Sequence, residues 1–208
     1  MKRTSPLSLL LCGLIAACSS TTNESTPTDS APEDQTLEWL EPTPDLSQRM
    51  DARMEQVPWV HGFEDQVEMI QWWADKGELA YSRLLQMAAD PRPRVADIAL
   101  AALASSRDGR LVEPLRQIQW PAEEQVDLAY SRARTHLRLG DWNHVDTLVE
   151  GLSDERVFAR AMCFKALREA TQMDHGYAPQ APEEERAEAV QAWQAWVAER
   201  QQDPLLAQ

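Results

Sequence analysis

Three stretches of this chain set a small side chain in the middle of an apolar stripe at one and the same spacing. Val95, Ala99 and Leu103 lie at i, i+4 and i+8; Ala129, Ala133 and Leu137 repeat that spacing 34 residues later, and Ala159, Cys163 and Leu167 repeat it after another 30. Residues four apart share one face of a helix, and a small residue at its centre lets a neighbouring helix approach closely. Each set follows a shorter stretch of helical periodicity, at 78–89, 110–118 and 143–151. The unit is a short helix, a tight turn and a second helix. One such pair cannot bury its apolar face alone, so pairs must stack, and the spacing predicts an all-α repeat array, a short α-solenoid.

The rest of the chain agrees. Seven glycines against thirteen prolines, with abundant Ala, Leu, Glu, Gln and Arg, favour helices over a turn-rich β fold. Thr43, Pro44 and Asp45 read as an N-cap, a proline at the first helical position and an early acid. Helices are expected to about Val57, over 63–76, and from Pro121 to about Leu139, where Gly140 breaks the pattern. Ser153 is expected to cap a helix through Ala170, and Pro182 to open a last one to about Arg200. That last helix carries Val190, Trp193 and Val197 as its stripe, with Trp196 beside it and Glu, Gln and Arg outside, as a C-terminal capping helix needs.

The segment from Asp90 to Leu103 carries a turn Asp and Pro, then Val95, Ala99 and Leu103 at packing positions, and Arg160 follows the packing residue Ala159. In these residues the chain resembles the HEAT-repeat family, in its bacterial HEAT-like variants. The middle unit departs from the pattern, with Tyr130 where the family's Arg stands. Gly176 and Tyr177, followed by the helix bearing Trp193 and Trp196, resemble the end of such proteins. The resemblance spans roughly residues 64–200 and implies a short right-handed solenoid of helical hairpins. A TPR array would need a strict 34-residue period with Trp, Gly, Tyr and Pro at fixed places, and the sequence lacks it.

The N-terminus reads as an address, separate from the fold. Lys2 and Arg3 precede a short apolar run from Leu7 to Ile15, then Ala16, Ala17 and Cys18. This resembles the bacterial lipobox, which implies cleavage after residue 17 and acylation of Cys18, with diacylglycerol on the sulfur and a further acyl chain such as palmitate on the new amine. Several acyl chains anchor a protein stably where one is marginal. Ser19, in place of Asp, implies sorting to the outer membrane. Residues 18–36 are the lipidated cysteine and a linker of Ser, Thr, Pro, Asp and Glu with no large apolar residue, expected to be disordered. Such a tether reaches on the order of 25 Å. The helical repeat domain is expected over 37–208. Loss of 1–17 removes Lys2 and Arg3 and no acid, so the mature chain is still more acidic than the net −14 of the whole. Such a chain repels nucleic acid and anionic lipid alike, and the domain should stand off the membrane, facing the periplasm.

The chemistry-bearing residues give no catalytic pattern. None of His61, His136, His144 and His175 has His, Cys or a carboxylate at i+4 on a shared helical face, so they read as solvated or loop histidines, and neither a metal nor a cofactor is expected. Cys163 sits at a packing position and reads as a buried, inert thiol. There is no G-x-S-x-G, P-loop or G-x-G-x-x-G. Eight tryptophans stand out. Trp193 and Trp196 read as a seal on the open end of the array. Trp72 reads equally as core and as a hot spot for a partner. Arg134 and Arg138 share a helical face and read either as a solvated face with local ion pairs or as a basic stripe for an acidic partner. The expected function is a non-catalytic, lipid-anchored envelope scaffold that binds another envelope protein, with Cys18 as lipidation site and Trp72, Arg134 and Arg138 as candidate partner contacts. Two alternatives stay open: a HEAT-like lyase, and a carrier or chaperone for an apolar ligand.

Overall fold

The fold is described from a computed structural model, over residues 38–120 and 125–202. The expected signal sequence, Cys18, the linker and the expected helix start at Pro121 lie outside the described residues. Within them are nine α-helices: α1 (Pro44–Gln56), α2 (Phe63–Ala74), α3 (Tyr81–Ala88), α4 (Pro93–Ser106), α5 (Val112–Arg116), α6 (Val126–Arg138), α7 (Val145–Glu150), α8 (Val157–Thr171) and α9 (Glu183–Gln202). No strand occurs among the described residues, and none of these helices is long and apolar enough to cross a membrane.

Helix starts follow local chemistry. Thr43 Oγ1 accepts the Leu46 N–H at 3.4 Å, and Pro44 occupies the first helical position. A second device recurs three times. Asp90, Asp108 and Asp154 each accept the backbone N–H two residues on, from Arg92 (2.9 Å), Arg110 (3.0 Å) and Arg156 (2.8 Å). The same arginine folds its guanidinium back onto the same carboxylate. This Asx-turn holds the chain out of helix for two residues. It is why α8 starts at Val157, with Ser153 left in a preceding 3-10 turn and Arg156 at the N-cap position.

Alternate helices pack on one another. α4 packs on α2, α3 and α6, while α6 packs on α4, α7 and α8. Bonds between them join like ends. Arg94, in the first turn of α4, donates to the Val60 carbonyl just before α2 at 2.6 Å. Ser131 of α6 donates to Asp97 of α4, and Thr135 to the Leu100 carbonyl. Arg156, just before α8, pairs with Asp127 in the first turn of α6 at 2.8 Å. Helices α2, α4, α6 and α8 therefore run in the same sense.

Two apolar clusters result, with α6 as their shared wall. Leu128 and Leu139 face a first cluster that includes Met50, Trp73, Leu84, Ile98, Leu103 and Leu115. Tyr130, Ala133 and Leu137 face a second that includes Leu148, Leu152, Cys163, Leu167 and Trp193. The predicted packing positions are buried, apart from the half-buried Ala129. Smallness matters most at Gly151: a Cβ there would lie 2.4 Å from Cys163 Sγ and 2.9 Å from the Tyr130 ring. α9 lays Val190, Trp193 and Val197 on the second cluster, with Trp196 against it. The Gly176–Tyr177 loop is tied down as well. The Tyr177 hydroxyl donates to the Leu152 carbonyl, and the buried Arg160 donates to the carbonyls of Asp154, Glu155 and Pro179.

Candidate functional site

Helix α6 ends in a Schellman motif, and that ending builds the most concentrated chemistry in the domain. Gly140 takes φ +93°, which a residue with a Cβ rarely adopts. Its N–H bonds to the Leu137 carbonyl at 3.1 Å, and the Asp141 N–H bonds to the His136 carbonyl at 2.9 Å. This geometry brings the side chain after the glycine back over the one five residues earlier, a place normally taken by an apolar contact. Here the pair is Asp141 and His136, both almost wholly buried, with His136 Nδ1 2.9 Å from Asp141 Oδ2.

The Asp141 carboxylate is fully engaged. It accepts Arg116 Nε (3.1 Å) and Nη2 (2.9 Å), the Asn143 N–H (3.1 Å) and His136 Nδ1. Burial pushes its pKa up, but the bonds from Arg116, Asn143 and His136 outweigh that and hold it below the usual carboxylate range. An ionised carboxylate only accepts, so the His136 proton sits on Nδ1. Burial, then the charge of His144, press the His136 pKa down to about 4 against the pull of Asp141. The imidazole is neutral at pH 7 and poorly matched to proton transfer there. The His144 ring lies 4.5 Å away, and its pKa is lowered by burial and by Arg132.

His136, Asp141 and His144 each bring a ligand-type atom within 4.8 Å of the others. Those residue types suit a borderline metal such as zinc. Both carboxylate oxygens already carry two donors, however, and a cation there would have to displace the Arg116 guanidinium. The arrangement supplies a tie between α5, α6 and the α6–α7 turn more readily than a metal centre.

Beside this network opens a cavity of about 540 Å³, a size ordinary for small-ligand sites. Val112 and Arg116 of α5, Leu139 to Asn143, Val145, and Val197, Arg200 and Gln201 of α9 line it. The Arg200 guanidinium lies 3.9 Å from the centre of the Trp142 ring.

The residues singled out from sequence fall elsewhere. Trp72 is half-buried at the rim of the first cluster, edge-on to Trp73 at 5.0 Å and flanked by Arg53 (5.7 Å) and Lys76 (4.9 Å). Arg138 pairs with Glu169 of α8. Arg134 is half-buried beside it; burial lowers its pKa, and its Nε has no hydrogen bond among the described residues. Cys18 lies outside the described residues. Cys163 is buried and unpaired, and burial pushes its pKa up to about 12. His61 is exposed and touches Arg94, while His175 is half-buried against Trp193. The reading of all four histidines as solvated or loop residues fails at His136, which sits inside α6.

The His136–Asp141–His144 grouping escaped a search at helical spacing because that search stops where the helix stops. The available signal was the glycine: a helix-ending Gly140 sends the next residue back over the last turn. In comparisons with protein-family models, curated proteins and solved structures, nothing matches this chain.

Proposed function

We propose that this chain is a HEAT-like α-solenoid held at the cell envelope by lipid on Cys18, with α9 as its C-terminal cap, and that it acts as a non-catalytic scaffold for another envelope protein. The observation that carries the repeat reading is the bonding between units. Side chains join residues 31 to 36 apart again and again: Arg83 to Ser47, Arg94 to Val60, Arg110 to Glu78, Ser131 to Asp97, Thr135 to Leu100 and Arg138 to Glu169. Contact with the neighbour one unit away is what a stacked array requires.

The scaffold reading draws support from one edge. Phe63, Val126 and Val157 open α2, α6 and α8 and are exposed, and Phe158 follows at 78% exposure. Trp59, just before α2, is 76% exposed. Exposed aromatics along an edge whose helices run in one sense suit a partner surface. The paired Arg138 and half-buried Arg134 are less available, so the partner contact is assigned to this edge; Trp72 lies in the last turn of α2, at that helix's other end. The low pKa of His136 and the high one of Cys163 also favour a non-catalytic role.

Anchoring and partner binding are tested separately. Cys18→Ser should move the protein from salt-washed membranes to the soluble fraction; a variant that still sediments with them removes the lipid anchor. Phe63→Ser with Phe158→Ser should abolish crosslinks to envelope protein at unchanged melting temperature. Crosslinks that persist at full yield remove the edge as the contact surface.

A further inference from the structure

We propose that the cavity between α5, the α6–α7 turn and α9 is a binding site for a monoanionic carboxylate carrying a short apolar arm, with Arg200 as the group that receives the carboxylate. This inference does not rest on the scaffold reading.

The charge of the cavity is what points to the ligand. Three charged side chains line it: Arg116, Asp141 and Arg200. Arg116 and Asp141 neutralise one another through two hydrogen bonds, and Arg116 Nη1 also lies 3.8 Å from Glu113. Arg200 makes no ion pair among the described residues, and its Nε is buried without a hydrogen bond. A cation left over at the wall of a cavity is a place for an anion from outside.

The way Arg200 is held fits a carboxylate. Its guanidinium lies over Trp142 at 3.9 Å, with the Trp196 ring at 5.8 Å. Stacking fixes the guanidinium against the indole and leaves its N–H edge for a planar, two-oxygen acceptor. Carboxylates match that fork bidentately. A dianionic phosphate fits poorly, because the Asp141 carboxylate shares the cavity and, among the described residues lining it, one unit of positive charge is unmatched.

The remaining lining sets the arm of the ligand. Val112, Leu139, Val145 and Val197 give apolar wall, and the Trp142 ring gives an aromatic one. Pockets of this kind take an apolar body and orient it by a few polar groups. The ligand class is therefore an aryl- or alkyl-substituted carboxylate of modest size, in contrast to a bare inorganic anion or a neutral hydrocarbon.

The test uses the full chain and three probes of related shape: 3-phenylpropionate, 3-phenylpropan-1-ol and inorganic phosphate. Titration followed by calorimetry and by the indole N–H resonances should give saturable binding for the carboxylate, with the Trp142 resonance shifting. The alcohol should bind at least tenfold more weakly, and phosphate should not saturate at the same concentrations. Arg200→Gln should weaken the carboxylate at least tenfold and leave the alcohol unchanged, and Arg200→Lys should recover only part of the loss. The comparison of acid with alcohol needs no variant, so it stands even where Arg200→Gln lowers the melting temperature. Absence of saturable binding by the carboxylate, equal binding of acid and alcohol, binding of phosphate as tight as the carboxylate, or an Arg200→Gln protein that binds as before in its folded state would each overturn the proposal.

Discussion

The two apolar clusters on either side of α6 differ in what holds them. The first is filled mainly by aliphatic and thioether side chains, with Trp73 and Tyr81 as its buried aromatics, and its charged pairs, such as Arg83 with Asp51 and Arg53 with Glu68, lie toward the surface. The second has fewer large aliphatics and several buried directional bonds: Arg160 to three carbonyls, Tyr177 to Leu152, and Tyr130 to Asp154 at 3.1 Å. At the wall between them stands the His136–Asp141–Arg116 network. Burial without direction tolerates rearrangement, and directional bonds do not, because a lost partner leaves a desolvated group behind. The second region should be the one that single polar changes break.

The largest effect should come from Arg160→Met, which removes a buried guanidinium and leaves the carbonyls of Asp154, Glu155 and Pro179 without a donor. A loss of about 2–4 kcal/mol is expected, read as a lower urea midpoint. A loss no greater than that of Arg83→Met, at the surface of the first region, would erase the contrast. Asp141→Asn should follow at about 2–3 kcal/mol, since Arg116 keeps partial access to water after its partner is lost.

The same network gives the contrast a pH signature. His136 has an ordinary pKa of 6.5 and one of about 4 in the fold. Between those values the unfolded chain binds the proton and the folded one does not, so stability is full above about 6.5 and is lost as pH falls through 4. Asp154, lowered to about 2 by Arg156, adds its loss only below the ordinary carboxylate value of 3.8. Urea midpoints from pH 7 to pH 4.5 should fall in the unmodified chain and fall less in His136→Gln; equal slopes would remove His136 as the cause.

Two packing changes sharpen the comparison at smaller scale. Gly151→Ala drives a methyl onto Cys163 and Tyr130, and Ala99→Leu adds three carbons at a fully buried position between helices of the first region. Overpacking costs about 1–3 kcal/mol. Gly151→Ala should lie at the upper end, because the α7–α8 turn is held by Arg160 and cannot shift, and Ala99→Leu at the lower. Melting temperatures taken side by side decide it, and an inverted order would show the aliphatic region to be the stiffer.

Much of this architecture was readable residue by residue. Val95, Ala99 and Leu103, and Ala159, Cys163 and Leu167, are buried where their spacing put them, because a helix repeats its face every 3.6 residues whatever surrounds it. Trp193, on the stripe read for the last helix, is buried in the second cluster for a similar reason. The expected helix over 78–89 is shorter, with Gly77 at φ +53° and a 3-10 turn before α3. The Asx-turns moved the start of α8 by several residues. These local bonds compete with helix over two or three residues, below the length at which periodicity carries information.

The sequence by itself determined that the chain is helical, where its packing faces lie, and that Gly140 ends a helix. Only the tertiary structure decided that the Asp141–His136 pair is buried and meets Arg116 from α5, and that α9 brings Arg200 onto Trp142 with no acid pairing it among the described residues. Helical periodicity is a property of neighbours along the chain and survives in any context. A shifted pKa or an unmatched charge depends on which distant groups arrive within a few ångströms and how much water they exclude, and no spacing in the sequence records that.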